Sequence, residues 1–439
     1  MGYQDKYRQY LEAVPDIVRQ CKETGSRPVL AYTSNLDVIA KWDVDSFNKL
    51  LDEYLVDEPS FKEGETINDM NDFARIMTYF AINGYGGEVE ITSIDVIEII
   101  KEYFEVQDGL GGTCAQGAAA LGAMGIPVLM HLTDQSKEVI KWLDYEGMES
   151  VKDSIRTALS NCATDDQALI HLVMQFTKGD IIKGNGKEYK IPVSNRLIMD
   201  YDQVHKYMPV REDFLKYLED NSNLIYSYDI SGFNAIIDMK TLEGRLDKLE
   251  AHYKILKEKN PDVIIYFESA HFISTKIRDY LYERMSKYMD IMGMNEEELV
   301  AFTKTKDIVV DKDNIESIIE GLNYLLDLYP VKGIVMHSKD YALYYGVVPQ
   351  KVDLEMGLTL GNLMSGTRAK VWHYGSQEEC RDFLDVKLSE VGVSYHEKIK
   401  NLDLKHTAIL VPSRYLEKPK YTIGLGDTFV AGMQMCFVK

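Results

Sequence analysis

Two glycines and a carboxylate near the C-terminal end of the chain are the first residues that could carry out chemistry. Gly424-Leu425-Gly426-Asp427 lies just before an apolar stretch, residues 429–437, that is expected to form a short helix. Glycines leave room for successive backbone N–H groups to point into one space, and the free amides at a helix start favour negative charge. The tetrapeptide therefore predicts an anion hole beside a carboxylate.

Such an arrangement suits phosphoryl transfer. The amides of Gly424, Leu425 and Gly426 would stabilise the transferring group, while Asp427 would orient the attacking hydroxyl and receive its proton. A plain glycine turn in which Asp427 caps the helix fits the same four residues. The wider sequence has to decide between the two interpretations.

Carboxylates elsewhere could bind a metal ion. Glu268 ends a predicted buried strand, residues 262–268, and Glu298 lies three residues after Asn295. Because Mg²⁺ prefers hard oxygen ligands and keeps several waters, one or two carboxylates are sufficient to hold it. A solvated acidic first turn of a helix explains residues 296–298 equally well.

A short polar segment, Asn35-Leu36-Asp37, follows a predicted buried strand at residues 29–33. Ligands of α/β proteins commonly bind at such strand ends. Asp37 could accept hydrogen bonds from two hydroxyl groups of a ligand and so fix which oxygen faces Asp427. Asn-x-Asp is also a frequent turn composition, so both interpretations stay open from these residues alone.

Three further features could contact ligands. Gly111-Gly112 precedes a helix of small residues and lets backbone and ligand approach each other closely. Arg196 could bind a phosphate group through two parallel hydrogen bonds, or it could be an ordinary exposed basic residue. His337 ends a predicted strand, where a lone histidine is more often structural than functional.

The elements that must position these residues alternate along the chain. Helix-length segments separate short apolar strands, which is typical of a parallel sheet covered on both faces; these strands are predicted at 29–33, 128–132, 223–227, 262–268, 333–337 and 407–411. Short strands with turn signals near 160–205 favour a second small sheet. We therefore predict two domains: a large α/β nucleotide-binding domain of residues 1–45, 108–175 and 206–439, and an inserted small lid of residues 46–107 and 176–205.

Composition limits the partners. The formal net charge is −21, and so acidic a surface disfavours a nucleic-acid partner. Five cysteines occur without a Cys-x-x-Cys pair, which argues against a disulfide framework or a zinc site. No stretch has the apolar length of a signal peptide or of a bilayer-spanning helix, so we expect a cytoplasmic protein with no membrane partner.

The context of the glycine turn resembles a known family. The run Val411-Pro412-Ser413-Arg414-Tyr415-Leu416-Glu417-Lys418-Pro419-Lys420-Tyr421-Thr422-Ile423-Gly424-Leu425-Gly426-Asp427 is similar to the C-terminal signature of the ADP-dependent sugar kinases, the ADP-specific glucokinases and phosphofructokinases of the ribokinase-like superfamily. Other similar segments follow in the family's order: Asn35-Leu36-Asp37, Gly111-Gly112, Asn195-Arg196-Leu197-Ile198, Ser231-Gly232-Phe233-Asn234 and Asn295-Glu296-Glu297-Glu298. The resemblance extends from about residue 29 to residue 437.

This resemblance implies a fold and a site. The fold would be a ribokinase-like α/β domain with a central, mainly parallel sheet flanked by helices and a small β-rich lid. Its sugar site would use Asn35, Asp37, the amides of Gly111 and Gly112, and Arg196. Its nucleotide site would use Asn295, His337 and Ile423, and Glu268 and Glu298 would bind Mg²⁺. The family places a histidine two residues before the first glutamate, where this chain has Tyr266.

The implied reaction transfers the β-phosphoryl group of ADP to a sugar hydroxyl and leaves AMP. Fructose 6-phosphate is the first expected acceptor because Arg196 suits a phosphate, and glucose is the second. One alternative is a kinase of the same fold that uses ATP on another sugar or a nucleoside. Another is a catalytically inactive sugar or nucleotide sensor. The sequence does not fix the oligomeric state, and a monomer is plausible.

Overall fold

The computed structural model describes residues 2–438 as an α/β protein. Its strands are β1 (Arg27–Tyr32), β2 (Asn35–Ala40), β3 (Gly87–Glu90), β4 (Val106–Gly111), β5 (Val128–Leu132), β6 (Met148–Lys152), β7 (Ile155–Ala158), β8 (Ile170–Phe176), β9 (Ile181–Gly184), β10 (Lys187–Lys190), β11 (Asn195–Tyr201), β12 (Ile225–Ile230), β13 (Ile264–Glu268), β14 (Ile291–Asn295), β15 (Gly333–His337), β16 (Tyr341–Gly346) and β17 (Thr407–Pro412). Its α-helices are α1 (Tyr3–Thr24), α2 (Val44–Tyr54), α3 (Met70–Asn83), α4 (Ile94–Tyr103), α5 (Thr113–Ala123), α6 (Lys137–Ile140), α7 (Glu212–Asp220), α8 (Met239–Lys259), α9 (Thr275–Met285), α10 (Glu296–Lys304), α11 (Ile315–Leu328), α12 (Leu354–Val371), α13 (Gln377–Phe383), α14 (Glu390–Ile399) and α15 (Leu425–Gln434).

A ten-stranded sheet forms the centre of the molecule, in the order β17-β16-β15-β14-β13-β12-β1-β5-β6-β7. The strands from β15 across to β6 pair in parallel. Antiparallel pairs occur only towards the two edges, at β6–β7 and at β15–β16–β17. The predicted mainly parallel central sheet is confirmed.

Alternation along the central strands builds a core on each face of this sheet. In β13, the side chains of Ile264 and Tyr266 pack into one hydrophobic cluster, and those of Ile265 and Phe267 pack into another. Successive side chains of a strand point to opposite faces, so helices must cover both sides. The carboxyl ends of the strands are left to carry polar residues such as Glu268.

A second sheet of five strands, in the order β3-β11-β8-β2-β4, forms the lid, together with the β9–β10 hairpin. One face of this sheet is apolar and packs in one buried cluster with α2 and α3. Val38, Leu172 and Met199 lie on this face. The other face carries the alternate positions, among them Asp37 and His171, and borders a cleft. The lid sheet therefore presents a polar surface to the space above the large sheet.

The sheets divide the chain at points other than the boundaries predicted from sequence. β2 and β8 fall within the segments assigned to the large domain, 1–45 and 108–175, yet both belong to the lid sheet, where they pair in parallel. β4 also pairs with β2 in this sheet. No strand was predicted at β2 or β4, and the predicted boundary at residue 175 separates β8 from the rest of its sheet, because local periodicity does not identify the partner of a strand.

No helix within residues 2–438 combines the length and the apolar composition needed to cross a bilayer.

Candidate active site

The glycine turn near the C-terminus is the start of a helix rather than a loop before one. α15 begins at Leu425, four residues earlier than the sequence predicts, and Gly424 is its N-cap with a left-handed φ of 63°. Asp427 therefore lies in the first turn, beside backbone amides that have no partner within the helix. Asp427 does not cap the helix, so the simple capped-turn interpretation does not apply.

Gly424 is required by its surroundings as well as by its backbone conformation. A Cβ at this position would overlap Oε1 of Gln116 and lie 2.9 Å from Nη1 of Arg368. A left-handed conformation alone costs a residue with a side chain about 1–2 kcal/mol. Both effects exclude other residues at the start of α15.

Two clefts meet at this helix start. Gly424 and Asp427 line a first cleft of about 470 Å³ between the large sheet and the lid. Leu425 and Gly426 line a second cleft, also of about 470 Å³, on the other side of the turn. The turn thus separates two ligand-sized spaces, with its carboxylate facing the first of them.

The charge state of Asp427 reflects opposing influences. Burial raises the pKa of its carboxyl group, and the nearby Asp37 raises it further, whereas Arg368 and a hydrogen bond involving Thr113 lower it. A carboxylate that gains a proton more readily than usual is a better base once ionised. The position and the environment of Asp427 both suit a general base.

Asn35 and Asp37 lie on the lid wall of the first cleft. They belong to β2, where Asn35 is paired with Gly111 of β4, and Nδ2 of Asn35 donates a hydrogen bond of 2.7 Å to Oδ1 of Asp37. Gly112 also lines this cleft. Four of the predicted sugar-site residues, Asn35, Asp37, Gly111 and Gly112, are therefore brought together.

A row of charged side chains crosses the polar face of the lid sheet. Asp37 lies opposite His171 on β8, and His171 lies opposite Asp200 on β11. Burial opposes a charge on the imidazole, but Asp200, Asp202 and Asp37 outweigh it and raise the pKa of His171 to about 10. The sequence analysis missed His171 and Asp200, although the alternation of polar and apolar residues in Ile170–Phe176 and Asn195–Tyr201 could have placed both on one face.

His171, Asp202 and His205 form a compact group at the end of this row. Their ligand atoms lie within 4.8 Å of one another, close enough in principle to share a metal ion. Oδ1 of Asp202 accepts hydrogen bonds from the backbone amides of Val204 and His205, and its Oδ2 accepts from His171 at 3.1 Å and pairs with His205. These contacts explain why the three side chains lie together: Asp202 holds His171 in place.

Arg196 is at the outer edge of the first cleft. It is exposed, is paired with Gln175 across β11 and β8, and lines both this cleft and a wider neighbouring groove on the same face of the lid sheet. It is therefore free to reach a ligand, but it is less tightly held than Asp37 or His171.

The two glutamates predicted to bind metal converge near Asp427. His337 donates to Oε1 of Glu268 at 2.9 Å, and the hydroxyl of Tyr266 donates to Oε2 at 3.2 Å. Glu298 forms a capping box with Asn295 at the start of α10. Burial, followed by repulsion from Glu268, raises the pKa of Glu298 to about 7.

Mutual repulsion in this group favours a bound cation. Burial and the charge of Asp427 raise the pKa of Glu268 well above its usual range. Burial, Glu268 and Asp427 do the same to Asp229, whose Oδ1 has no hydrogen-bond partner in the described chain. Oxygen donors whose charges repel one another in this way fit a divalent cation such as Mg²⁺, and the hydrogen bonds on Glu268 and Glu298 fit binding through water.

The second cleft contains two of the three residues predicted to contact a nucleotide. Asn295 and His337 line it, next to backbone and polar groups of Ser338 and Ser365. Ile423 instead lines the first cleft. The ring of His337 also packs against Phe429 of α15, with the ring centroids 4.8 Å apart, so this histidine connects the carboxylate group with the second cleft.

Known proteins resemble this chain over almost its whole length. Residues 26–435 match the family model described as the ADP-specific phosphofructokinase/glucokinase conserved region. The ADP-specific phosphofructokinase of Pyrococcus abyssi is 23% identical, over 93% of this chain and 96% of that protein. The ADP-dependent glucose/glucosamine kinase of the same organism is 22% identical, over 98% of this chain and 97% of that protein.

Solved structures agree with the sequence relatives. A structure of the last common ancestor of ADP-dependent phosphofructokinases from Methanosarcinales superposes with a TM-score of 0.80 at 23% identity, covering 100% of this chain and 99% of that one. An ADP-dependent kinase in complex with fructose-6-phosphate and ADPbetaS superposes with a TM-score of 0.76 at 21% identity, with coverage of 100% and 99%. These likenesses confirm the predicted ribokinase-like α/β class.

Proposed function

Because the chain belongs to the ADP-specific phosphofructokinase/glucokinase family, we propose that it is a Mg²⁺-dependent kinase that transfers the β-phosphoryl group of ADP to a hydroxyl of an unphosphorylated hexose. The products are AMP and a sugar phosphate. ADP as the donor follows from the family, whereas the acceptor and the metal go beyond what family membership provides, and each of these two rests on a separate observation.

The observation that carries the proposal is the position of Asp427 between the two clefts. Its carboxylate borders the first cleft, together with Asn35 and Asp37, while the adjacent Gly426 borders the second cleft. A sugar in the first cleft and a nucleoside diphosphate in the second would meet at the start of α15. The reacting hydroxyl and the phosphoryl group would then both lie beside the free amides.

Three steps follow for the residues of this chain. Asp37 and Asn35 bind sugar hydroxyls and orient the acceptor. Asp427 receives the proton of the attacking hydroxyl as the new phosphorus–oxygen bond forms and the bond from the β-phosphorus to the bridging oxygen of ADP breaks, so that AMP leaves. The amides of Gly424, Leu425 and Gly426 stabilise the negative charge on the transferring group.

The carboxylate group beside Asp427 completes the proposal. Glu268 and Glu298 would hold Mg²⁺ through water, with His337 and Tyr266 keeping Glu268 in place. A bound Mg²⁺ supplies positive charge that offsets the phosphate charges of the donor. The lid limits access of water to the cleft, which disfavours hydrolysis of the donor.

The charge of the first cleft bears on the acceptor. Its lid wall carries more carboxylates than cations, with Asp37, Glu88, Glu90, Asp200 and Asp202 against Arg196, Lys206 and the protonated His171, and Lys206 is already 3.6 Å from Glu90. A phosphate group would add charge of the same sign, whereas sugar hydroxyls can donate hydrogen bonds to carboxylates.

We therefore propose glucose as the first acceptor. Fructose 6-phosphate, which the sequence favours through Arg196, becomes the second, since that residue is exposed at the cleft edge. ADP as the donor follows from the family, and ATP remains the alternative donor. An inactive sensor is disfavoured because the base Asp427, its anion hole and the carboxylate group are all in place.

The deciding experiment is a matrix of donors and acceptors. ADP and ATP would each be tested with glucose, glucosamine, fructose, fructose 6-phosphate and a nucleoside. The assay would measure AMP formed from ADP or ADP formed from ATP, and NMR would give the position of the new phosphate. The proposal expects the highest kcat/KM with ADP and an unphosphorylated hexose. No turnover with any pair would refute the kinase function, and a preference for fructose 6-phosphate would refute only the acceptor.

A further inference from the structure

Arg368 carries a buried charge next to the start of α15. It lies on α12, and only 3% of its surface is exposed. Its side-chain hydrogen bonds in the described chain go to neutral acceptors: Nη1 donates to the carbonyl of Gly424 at 3.1 Å and to Oγ1 of Thr428 at 2.9 Å, and Nη2 donates to Oε1 of Gln116 at 2.8 Å. None of these hydrogen bonds goes to a carboxylate, and burying a charge that is not directly paired is costly, so this arrangement calls for a functional explanation.

Aromatic rings hold the guanidinium in one orientation. Its carbon lies 4.1 Å from the ring centroid of Tyr374 and 5.2 Å from that of Tyr421. Stacking on aromatic rings favours the planar guanidinium of arginine over a lysine ammonium. The backbone amide of Lys420 also donates to the carbonyl of Ala369, next to Arg368, at 2.8 Å. The segment before Gly424 is thus fastened to the end of α12.

The same guanidinium contacts both the acceptor wall, through Gln116, and the start of α15, through Gly424. Gln116 is buried on α5 and lines the first cleft, near Gly112, while Gly424 begins the helix whose amides face the transferring group. A shift of Arg368 would therefore move the acceptor wall and the anion hole relative to each other. Gly424 itself could not tolerate a side chain here, because its Cβ would lie 2.9 Å from Nη1.

We propose that Arg368 is a positioning residue for phosphoryl transfer: it fixes the carbonyl of Gly424, and with it the direction of the amides of α15, and it keeps a positive charge beside Asp427. The inference rests on the proposed kinase function. It assigns no contact with substrate to Arg368, which acts through Gly424, Gln116 and Asp427. It also accounts for the missing carboxylate partner, since a paired guanidinium would present less positive charge to the cleft.

The charge has a measurable consequence. Among the groups that act on Asp427, Arg368 is the main one that lowers its pKa, against the effect of burial. The rate should rise with pH as Asp427 loses its proton, so the acid limb of the kcat–pH profile reports on this carboxylate. Removing the positive charge should move that limb to higher pH.

The test compares three variants in the ADP-dependent reaction of the full-length protein. Arg368→Met should lower kcat by about 10²-fold, the effect expected of a small misplacement in the site, and should move the acid limb to higher pH, with KM for both substrates within about threefold. Arg368→Lys should restore the acid limb, because the charge returns. It should leave kcat about tenfold or more below wild type, because an ammonium cannot reproduce the fork of hydrogen bonds.

Arg278→Met is the matched control. Arg278 is also buried, with 6% of its surface exposed, and its guanidinium carbon is 4.0 Å from the ring centroid of Phe302. Its loss should lower the melting temperature without changing kcat or the acid limb. If Arg368→Met, like Arg278→Met, left kcat and the acid limb unchanged, the inference would be overturned.

The other outcomes are also decisive. If Arg368→Met does not fold, Arg368→Lys decides, and a wild-type kcat for that variant overturns the positioning role. A wild-type chain that phosphorylates no acceptor refutes the proposed function and, with it, this inference. An active wild type with an unaffected Arg368→Met refutes the inference alone.

Discussion

The hydroxyl of Tyr266 donates a hydrogen bond of 3.2 Å to Oε2 of Glu268, two residues further along the same strand. Both side chains therefore lie on one face of β13. Gly293, opposite Glu268 on β14, leaves the necessary space, because a Cβ there would overlap both Oε2 of Glu268 and the hydroxyl of Tyr266. The tyrosine thus occupies the place that the family resemblance gives to a histidine, and it still orients the carboxylate.

Removing that hydroxyl should weaken metal binding. Tyr266→Phe keeps the ring but frees Oε2 of Glu268, and the loss of such an outer contact typically costs about 10-fold to 100-fold in metal affinity. We expect the Mg²⁺ concentration for half-maximal rate to rise by at least about tenfold. Tyr345→Phe is the control. Tyr345 lies on another strand, β16, and its hydroxyl donates to Oδ1 of Asn323 at 2.9 Å. Equal Mg²⁺ titrations for both variants would contradict the role of Tyr266.

Removal of the Glu298 side chain should raise the Mg²⁺ requirement of the reaction, while removal of the neighbouring Glu297 side chain should not. Glu298→Ala removes a carboxylate that faces Glu268 in the buried group, so the Mg²⁺ requirement should rise. Glu297→Ala is the matched control because Glu297 is exposed in the same helical turn and pairs with Lys312. A Mg²⁺ titration of the rate would distinguish them. An unchanged titration for Glu298→Ala would count against its role as a metal ligand.

The first turn of α15 should not tolerate a side chain at Gly424. Gly424→Ala would combine a strained left-handed backbone, costing about 1–2 kcal/mol, with overlap on Gln116. Gly186→Ala carries only the first penalty, because Gly186 has a φ of 70° and open space around its Cβ position. Urea denaturation should show a larger loss of unfolding free energy for Gly424→Ala than for Gly186→Ala. The kcat of Gly424→Ala should also fall, while Gly186→Ala should stay active. If the two variants lost the same free energy of unfolding, overlap with Gln116 would not contribute to the effect of Gly424→Ala.

The sequence predicted six strands of the central sheet, because each is a local pattern, whereas it placed the start of α15 four residues too late. Gly333–His337 and Val128–Leu132 were predicted with their observed bounds, as expected for short buried strands with uniform apolar composition. The pairing of β2 with β8 was not predicted, since the contact between Leu36 and Ile170 joins distant parts of the chain. Arg368 was missed because its contacts come from other elements of the fold and leave no local motif, whereas the alternation of polar and apolar residues in β8 could have placed His171 on the polar face of the lid sheet.

Asp427 should be indispensable for turnover but not for binding. Asp427→Asn keeps the shape of the side chain and removes the base, and a positioned base usually contributes about 10²-fold or more to the rate. We expect kcat to fall by at least that factor, while the dissociation constants of ADP and sugar, measured by calorimetry, change little. Asp403→Asn serves as an exposed control. A loss of turnover within about threefold would show that another group accepts the proton.

His171 should make the stability of the protein depend on pH in a defined range. Its pKa rises from 6.5 in the unfolded chain to about 10 in the native protein, since the carboxylates of Asp200, Asp202 and Asp37 outweigh the effect of burial. Between these values the native state holds a proton that the unfolded state has lost, so the free energy of unfolding must fall as pH rises. The stabilisation is complete below about pH 6.5 and lost above about pH 10.

Substitution of that histidine tests the origin of the slope. His171→Gln keeps a hydrogen-bonding side chain without a charge, so urea denaturation between pH 7 and 10 should show a flatter dependence than in wild type. His252→Gln is the control, because burial lowers the pKa of His252, and its proton therefore does not contribute in this range. If His171→Gln retained the full wild-type slope, the imidazole would be neutral in the native lid.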